Sequence, residues 1–264
     1  MMKTNNFKVV ILCGGRGTRL RGETEFKPKP MVEIGGRPVL WHIMKIYAHY
    51  GFKDFILCLG YKGERIKEYF LNYEAMNNDF TLHLGKKNKI EYHSNHSEDG
   101  WKVTLVDTGE NTQTGARIKK IERYIKEDNF MVTYGDGASD ININNLLEFH
   151  KLQKRIGSVT GVHPSSRFGE LIAKGDKVIS FNEKSRTTKG SINGGFFVFS
   201  KGIFNYLTDF KDCSLESEPL EKLASDGELS VFKHEGFWQC MDTQRELDLL
   251  NDLWAKGNAP WKIW

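Results

Sequence analysis

Cysteine and proline are scarce in this chain of 264 residues, with four of the first and six of the second. Cys13, Cys58, Cys213 and Cys240 are widely spaced and show no paired metal-ligand spacing. That argues against a zinc module or a disulfide framework. Cys13 and Cys58 sit in apolar, strand-like runs, so buried free thiols in a reducing cytoplasm are expected. Long hydrophobic runs are also missing; none approaches the roughly 20 apolar residues of a membrane span. The start, MMKTNNFKVVILCGG, holds one short apolar run cut by glycine and arginine. A first core strand is expected there, not a secretory leader. Charge of one sign is not in excess. A net charge of +4 is too mild to argue for nucleic acid, but it suits small anionic ligands. Repeats, linkers and low-complexity stretches are absent, so a single domain over residues 1–264 is expected.

What is present is an alternation of strand-length apolar runs with helical patterns. FKVVILC, residues 7–13, reads as a strand. Pro38 opens a helix with Val39, Leu40, Ile43, Met44, Ile46 and Tyr47 on one broad face, and Gly51 stops it. DFILCLG is a second buried strand and GERIKEYFLNY a second helix. This β-α-β-α start predicts a Rossmann-like α/β fold: a mixed, mostly parallel sheet flanked by helices. Residues 75–115 break the rhythm and read as an inserted loop and hairpin region. After it come a helix in ARIKKIERYI, a strand in NFMVTYGDG, a helix in INNLLEFHKLQKR and a strand in GSVTGVH. The stretch from ELIAKGDKVISFNEKS to INGGFFVFS reads as short strands and tight turns, a smaller β-rich layer. A helix in LESEPLEKLASDG, a strand in ELSVFKH and a last helix in TQRELDLLNDLWAKG complete the pattern.

The first strand exits into CGGRGTRLRGETEFKPKPM, where Gly14, Gly15 and Gly17 precede Arg19 and Lys29. In open α/β sheets ligands bind at the carboxyl ends of strands, and glycines let backbone N–H groups approach a phosphate. The loop lacks the Gly-Lys-Ser/Thr of a P-loop, and Leu20 stands where a dinucleotide fingerprint needs a small residue. A plain tight turn would also explain the glycines. Pro28 and Pro30 fix φ around Lys29 and are expected to hold that segment extended. An extended segment aims a lysine better than a free loop does; simple solvation is the alternative, and the default for Lys27.

Taken together, GGRGTRLRGETEFKPKPM and EIGGRPVLWHIM resemble the nucleotide-sugar pyrophosphorylase family, with its Gly-Gly-x-Gly-Thr-Arg-Leu and Pro-Lys-Pro patterns. TLVDTG, TGARIKK, TYGDG, RFGEL, INGGFFVF, GFWQCMDT and APWKIW narrow the resemblance to the glucose-1-phosphate cytidylyltransferases. The resemblance implies that CTP and a sugar 1-phosphate, glucose 1-phosphate, are joined to CDP-glucose with release of pyrophosphate. It also implies Mg²⁺, a cytoplasmic enzyme and a homo-oligomer, a hexamer. Neither a nucleic acid nor a membrane partner is expected. A relative using another base or acceptor, and a catalytically silent nucleotide-sugar sensor, stay open. The short stretch after the last helix leaves no room for the carboxyl-terminal acyltransferase domain that some pyrophosphorylases carry.

By the same resemblance, Gly14, Gly15, Gly17, Thr18, Arg19, Arg117, Thr133 and Gly135 bind the nucleotide. Lys29 bridges the reacting phosphates and, with Arg19, is catalytic; a guanidinium suits two-point phosphate binding. Lys29, Glu183, Lys184, Asn193 and Gly194 take the sugar phosphate; the family's usual proline after the Glu-Lys pair is Ser185 here. Asp136 and Asp242 carry the metal, since two carboxylates with substrate oxygens suit a hard cation. Both aspartates fall at apparent strand exits, which a parallel sheet brings to one edge. Helix capping rivals that role for Asp242, but Thr243 and Glu246 already form a capping-box pattern. An Asp-Gly turn rivals it for Asp136, and a basic helix face for Arg117. Trp101, Trp238, Trp254, Trp261 and Trp264 read as packing residues.

Overall fold

A computed structural model describes residues 7–85, 89–94, 96–163, 170–174, 177–182 and 191–264. Its centre is a seven-stranded sheet of β1 (Lys8–Cys13), β2 (Asp54–Leu59), β3 (Lys102–Asp107), β4 (Asn129–Tyr134), β5 (Gly157–Val162), β6 (Ile192–Ser200) and β7 (Leu229–His234). Their order is β7-β5-β6-β4-β1-β2-β3. β6 runs antiparallel to both neighbours, and every other pairing is parallel. This is the Rossmann-like α/β arrangement that the β-α-β-α rhythm predicts.

β1 and β2 read as continuous apolar runs because both faces of the sheet are covered. Alternate residues of β1 enter separate cores. Val9, Ile11 and Cys13 pack in one with Ile43, Met44 and Tyr47 of helix α1 (Val39–His49). Val10 and Leu12 pack in the other with Ile118, Phe199 and Phe204. The longer further helices are α2 (Gly63–Leu71), α3 (Thr114–Lys120), α4 (Ile143–Gln153), α5 (Glu218–Ser225) and α6 (Gln244–Ala255). α1 ends before Gly51, whose φ of +86° is the left-handed turn that glycine supplies.

The insertion is narrower than the sequence pattern implied. Phe80–His83 and Lys89–Tyr92 form a separate hairpin, but Lys102–Asp107 pairs with β2 and completes the main sheet as its edge strand. Only Val106 of β3 is fully buried. A strand covered so thinly alternates weakly, which is why WKVTLVD reads as insertion. A two-stranded hairpin, Glu170–Lys174 with Lys177–Asn182, supplies part of the expected β-rich layer, but INGGFFVFS, expected in that layer, is β6 of the main sheet, where two strand neighbours pair with it.

The C-terminal tail closes over α1. Trp254, Trp261 and Trp264 surround the buried His42 ring. Trp261 Nε1 donates to His42 Nδ1 at 3.4 Å, so the imidazole proton sits on Nε2 and meets Ile34 O at 2.8 Å. Burial pushes the His42 pKa from 6.5 down to about 4. His150, held by Ser158 and Asn129, is likewise pushed down to about 4 by burial. Between pH 6.5 and 4 the unfolded imidazoles bind protons that the folded ones refuse. Stability is therefore full above pH 6.5 and falls on acidification, by on the order of 3 kcal/mol per histidine by pH 4. Urea midpoints measured from pH 7 to pH 4 should show this fall, and His42→Gln should remove about half of it. An unchanged pH slope in His42→Gln would contradict the account.

Candidate active site

The glycine loop is shaped from beneath by a buried arginine. Arg117, on α3, is 3 % exposed. Its guanidinium donates to Leu59 O at 2.9 Å, Thr108 Oγ1 at 2.6 Å, Gly14 O at 3.1 Å and Glu110 O at 3.2 Å. One side chain thus ties the carboxyl ends of β1, β2 and β3 together. Its contacts are neutral oxygens, and burial lowers its pKa. The floor therefore carries positive charge. A Cβ on Gly14 would lie 2.0 Å from Arg117 Cζ, so glycine is required there for close approach. Above this floor opens a cavity of about 430 Å³ lined by Gly14, Gly15, Arg16, Lys29, Glu110–Thr114, Arg117, Gly135 and Asp136. Arg16 reaches across its mouth to Glu110 at 3.1 Å and Asn111 at 2.8 Å.

Lys29 is delivered by a turn, not by an extended strand. Pro28 is extended, but Lys29–Met31 forms a 3-10 turn with Pro30 in its first positions, where a missing N–H costs nothing. Gly17, at φ +59°, would place a Cβ 3.0 Å from Lys29 Cβ; its bareness lets the turn pack under the loop. Lys29 Nζ meets Asp136 Oδ2 at 2.5 Å and also contacts Asp242 Oδ1. Arg19 Nη1 holds Asp242 Oδ2 at 2.7 Å. Burial alone would lower the Lys29 pKa, but the two carboxylates outweigh it and raise it. Lys27 stays apart, near Glu23 at 3.5 Å and Glu33 at 3.8 Å.

The two aspartates meet for a reason other than parallel strand exits. Asp136 follows β4, but the strand before Asp242, Trp238–Cys240, is not in the main sheet. It pairs antiparallel with Gly137–Ser139, and Met241 N donates to Asp136 O at 2.8 Å. Glu246 accepts from Asp242 N at 2.7 Å and Thr243 N at 2.9 Å. The capping box is formed by Thr243 and Glu246, so the Asp242 carboxylate is not consumed as a cap. Two carboxylates converging on one ammonium are a donor set that fits a hard divalent cation.

A second cavity, of about 310 Å³, adjoins the first at Asp136. Arg19, Thr133, Tyr134, Gly194, Glu216, Trp238 and Asp242 line it. Thr133, grouped with nucleotide binding by resemblance, is placed here and is 2 % exposed. Thr18 faces a third cavity, with Arg16, Thr24 and Tyr61. Asn193 Nδ2 donates to the Tyr134 hydroxyl at 3.1 Å. Glu183 and Lys184 lie outside the described residues. Trp238, read from sequence as a packing residue, lines this cavity and donates to Gly194 O at 2.7 Å. Sequence reasoning also missed Arg16, Tyr134 and Glu216. Tyr134 stands directly before Gly135 in TYGDG, a signal that was available.

Gly14 and Gly15 should fail differently. Nothing lies within 4 Å of a Cβ on Gly15, whereas one on Gly14 strikes the pinned guanidinium. Gly15→Ala should keep the wild-type melting temperature and weaken nucleotide binding, by about tenfold, because the methyl intrudes on the cavity. Gly14→Ala should lower both melting temperature and affinity. Calorimetric scans with nucleotide titrations check this, and equal melting temperatures for the two variants would contradict it.

Similarity to known proteins extends over most of the chain. The family described as nucleotidyl transferase matches residues 8–243. Glucose-1-phosphate cytidylyltransferase of Salmonella typhimurium is 50 % identical over 258 residues, 97 % of this chain and 99 % of that protein. Probable glucose-1-phosphate cytidylyltransferase of Bacillus subtilis is 45 % identical over 257 residues, 97 % of this chain and 100 % of that protein. Among solved structures, HddC from Yersinia pseudotuberculosis superposes with a TM-score of 0.68 at 26 % identity, covering 94 % of this chain and 99 % of that one. This chain, with its glycine loop over a cationic floor beside a lysine between two aspartates, belongs to the nucleotidyl transferase family.

Proposed function

We propose that this chain joins CTP to glucose 1-phosphate, giving CDP-glucose and pyrophosphate. The observation that carries the reading is the meeting of two cavities at Asp136, with Lys29 between Asp136 and Asp242 and Arg19 alongside. One cavity, under the glycine loop, takes the nucleotide; the other takes the sugar phosphate. The choice of CTP and glucose follows the curated relatives, which match over nearly the full length of both chains. We read residues 1–264 as one nucleotidyltransferase domain acting in the cytoplasm. No described helix is long and apolar enough to cross a membrane.

A phosphate oxygen of the sugar phosphate attacks the α-phosphorus of CTP in line. One P–O bond forms, the bond to the β-phosphate bridge breaks, and pyrophosphate leaves. Two anions must be brought together, and negative charge moves onto the leaving group, so positioning and cations carry the catalysis. In this reading Lys29, between the cavities, meets both reacting phosphates, and Arg19, expected on the triphosphate, lines the second cavity and meets the sugar phosphate instead. The Arg117 charge beneath the loop lowers the cost of an anion above it. Asp136 and Asp242 would hold Mg²⁺, which when bound neutralises phosphate charge.

Pyrophosphate release should be scored for the purified protein across nucleoside triphosphates and sugar phosphates. CTP with glucose 1-phosphate should lead. Lys29→Ala should lower that turnover on the order of 10²-fold or more, a much larger effect than its loss of folding stability, while Lys27→Ala changes little. Robust release with another pair only would refute the base or acceptor; silence for every pair with Mg²⁺ present would favour a sensor.

We also read the chain as a homo-oligomer, a hexamer by its resemblance. On the hairpin, Phe80 pairs with Tyr92 and Leu82 with Ile90, so four apolar side chains share one face. Each is more than two-fifths exposed. An apolar patch of this kind is commonly a subunit contact. Light scattering should give a multiple of 30.3 kDa, and Leu82→Asp with Ile90→Asp should reduce it. A monomeric wild type would overturn the reading.

A further inference from the structure

We propose that Glu216 reads the sugar: its carboxylate accepts hydrogen bonds from the hydroxyls of a neutral hexose 1-phosphate and excludes sugars that carry a second acid. The inference rests on the reading that this chain joins a nucleotide to a sugar 1-phosphate.

Glu216 stands just before α5 and lines the second cavity. The residue is exposed, yet its carboxylate is held on both oxygens. The Tyr134 hydroxyl donates to Oε1 at 2.5 Å; Thr114 and Ser214 donate to Oε2 at 2.5 and 2.7 Å. Burial would raise this carboxyl, but the hydroxyl donors outweigh it and hold it below the ordinary carboxylate range. Among the described residues each side-chain donor to it is a neutral hydroxyl, and no lysine or arginine forms an ion pair with it. Its negative charge is therefore hydrogen-bonded but not neutralised.

The network has a direction. Gly195 N–H donates to Asn193 Oδ1 at 2.8 Å, Asn193 Nδ2 donates to Tyr134, and Tyr134 donates to Glu216. Gly195 adopts φ +79°, and a Cβ there would lie 2.3 Å from the Tyr134 ring. Glycine thus seats the tyrosine, and the tyrosine seats the carboxylate. A carboxylate offers about four acceptor positions. Side chains among the described residues take one position on Oε1 and two on Oε2, so Oε1 keeps capacity for a ligand hydroxyl. The Trp238 indole, fixed by its bond to Gly194 O, supplies a flat apolar wall that suits the C–H face of a pyranose.

Arg19, Asp136 and Asp242 line this cavity beside Lys29, and that cationic and metal-binding set suits the phosphate. Glu216 and the Tyr134 hydroxyl add an anion and acceptors to the same lining, which suit hydroxyl donors and repel a second carboxylate. A nucleotide ribose is the rival ligand, because Thr114 also lines the first cavity.

Glu216→Gln removes the charge and one acceptor oxygen at nearly constant shape. The experiment measures kcat/KM with CTP for glucose 1-phosphate and for glucuronic acid 1-phosphate, with CTP affinity by calorimetry and melting temperature as controls. The wild type should prefer glucose 1-phosphate strongly. Glu216→Gln should raise its KM by about tenfold or more and narrow the preference by about tenfold, with CTP affinity within about twofold. An unchanged preference, or a loss confined to CTP binding, overturns the proposal. Should Glu216→Gln not fold, Glu216→Asp keeps the charge; its KM should rise while the preference persists, and a lost preference overturns the proposal. If the wild type turns over neither sugar phosphate with any nucleotide, the reaction reading has failed. The same contrast is then read as calorimetric affinity of the two sugar phosphates for wild type and Glu216→Gln, and equal wild-type affinities sink the role of Glu216.

Discussion

The contact on which the rest of the site depends is the Lys29 ammonium between Asp136 and Asp242. It joins three segments that are far apart in sequence: the turn after the glycine loop, the exit of β4 and the start of α6. The lysine is 11 % exposed and the aspartates 28 % and 20 %. Charges this sheltered are costly singly and tolerable together, because losing one partner leaves the others uncompensated in poor solvent. The arrangement therefore fixes where phosphates can be received. It places cation and carboxylates at the junction of two cavities, where charge must shift from one phosphate to another.

Arg117 plays the complementary part beneath the loop. Four neutral oxygens from the ends of three strands fix its guanidinium. The carboxyl ends of those strands form one rim because one planar donor satisfies them together. Burying a guanidinium against neutral acceptors costs desolvation, visible in its lowered pKa. The same geometry leaves its charge uncancelled under a cavity that receives anions. Gly14 and Gly60 are bare where the guanidinium passes, each too close for a Cβ. Stability and binding are thus coupled in one side chain.

Tyr134 links the two cavities. It is the last residue of β4 and lines both. Its hydroxyl gathers Asn193 and Glu216 from segments on either side. The single antiparallel strand, β6, makes this possible, because it brings Asn193 back beside the exit of β4. A wholly parallel sheet would carry that residue to the same rim only by another crossover.

The sequence by itself determined the elements whose local pattern is strong. β1, β2, β4 and α1 were legible because both-sided burial writes a continuous apolar run, and a broad apolar face writes a helix. The glycine loop and the pairing of glycines with Lys29 were legible as well, since backbone approach demands residues without side chains. The partnership of Asp136 and Asp242 was inferred from resemblance, but the expected route through parallel strand exits was wrong. Only the tertiary structure supplied the antiparallel pair, Gly137–Ser139 with Trp238–Cys240, that joins them. β3 was hidden because an edge strand with one buried residue alternates too weakly. Glu216 and Trp238 were hidden for another reason. A glutamate before a helix and a tryptophan among hydrophobics look ordinary in one dimension. Their chemistry arises from distances to Tyr134 and Gly194, and those are fixed by sheet order and long-range pairing, which no local pattern encodes.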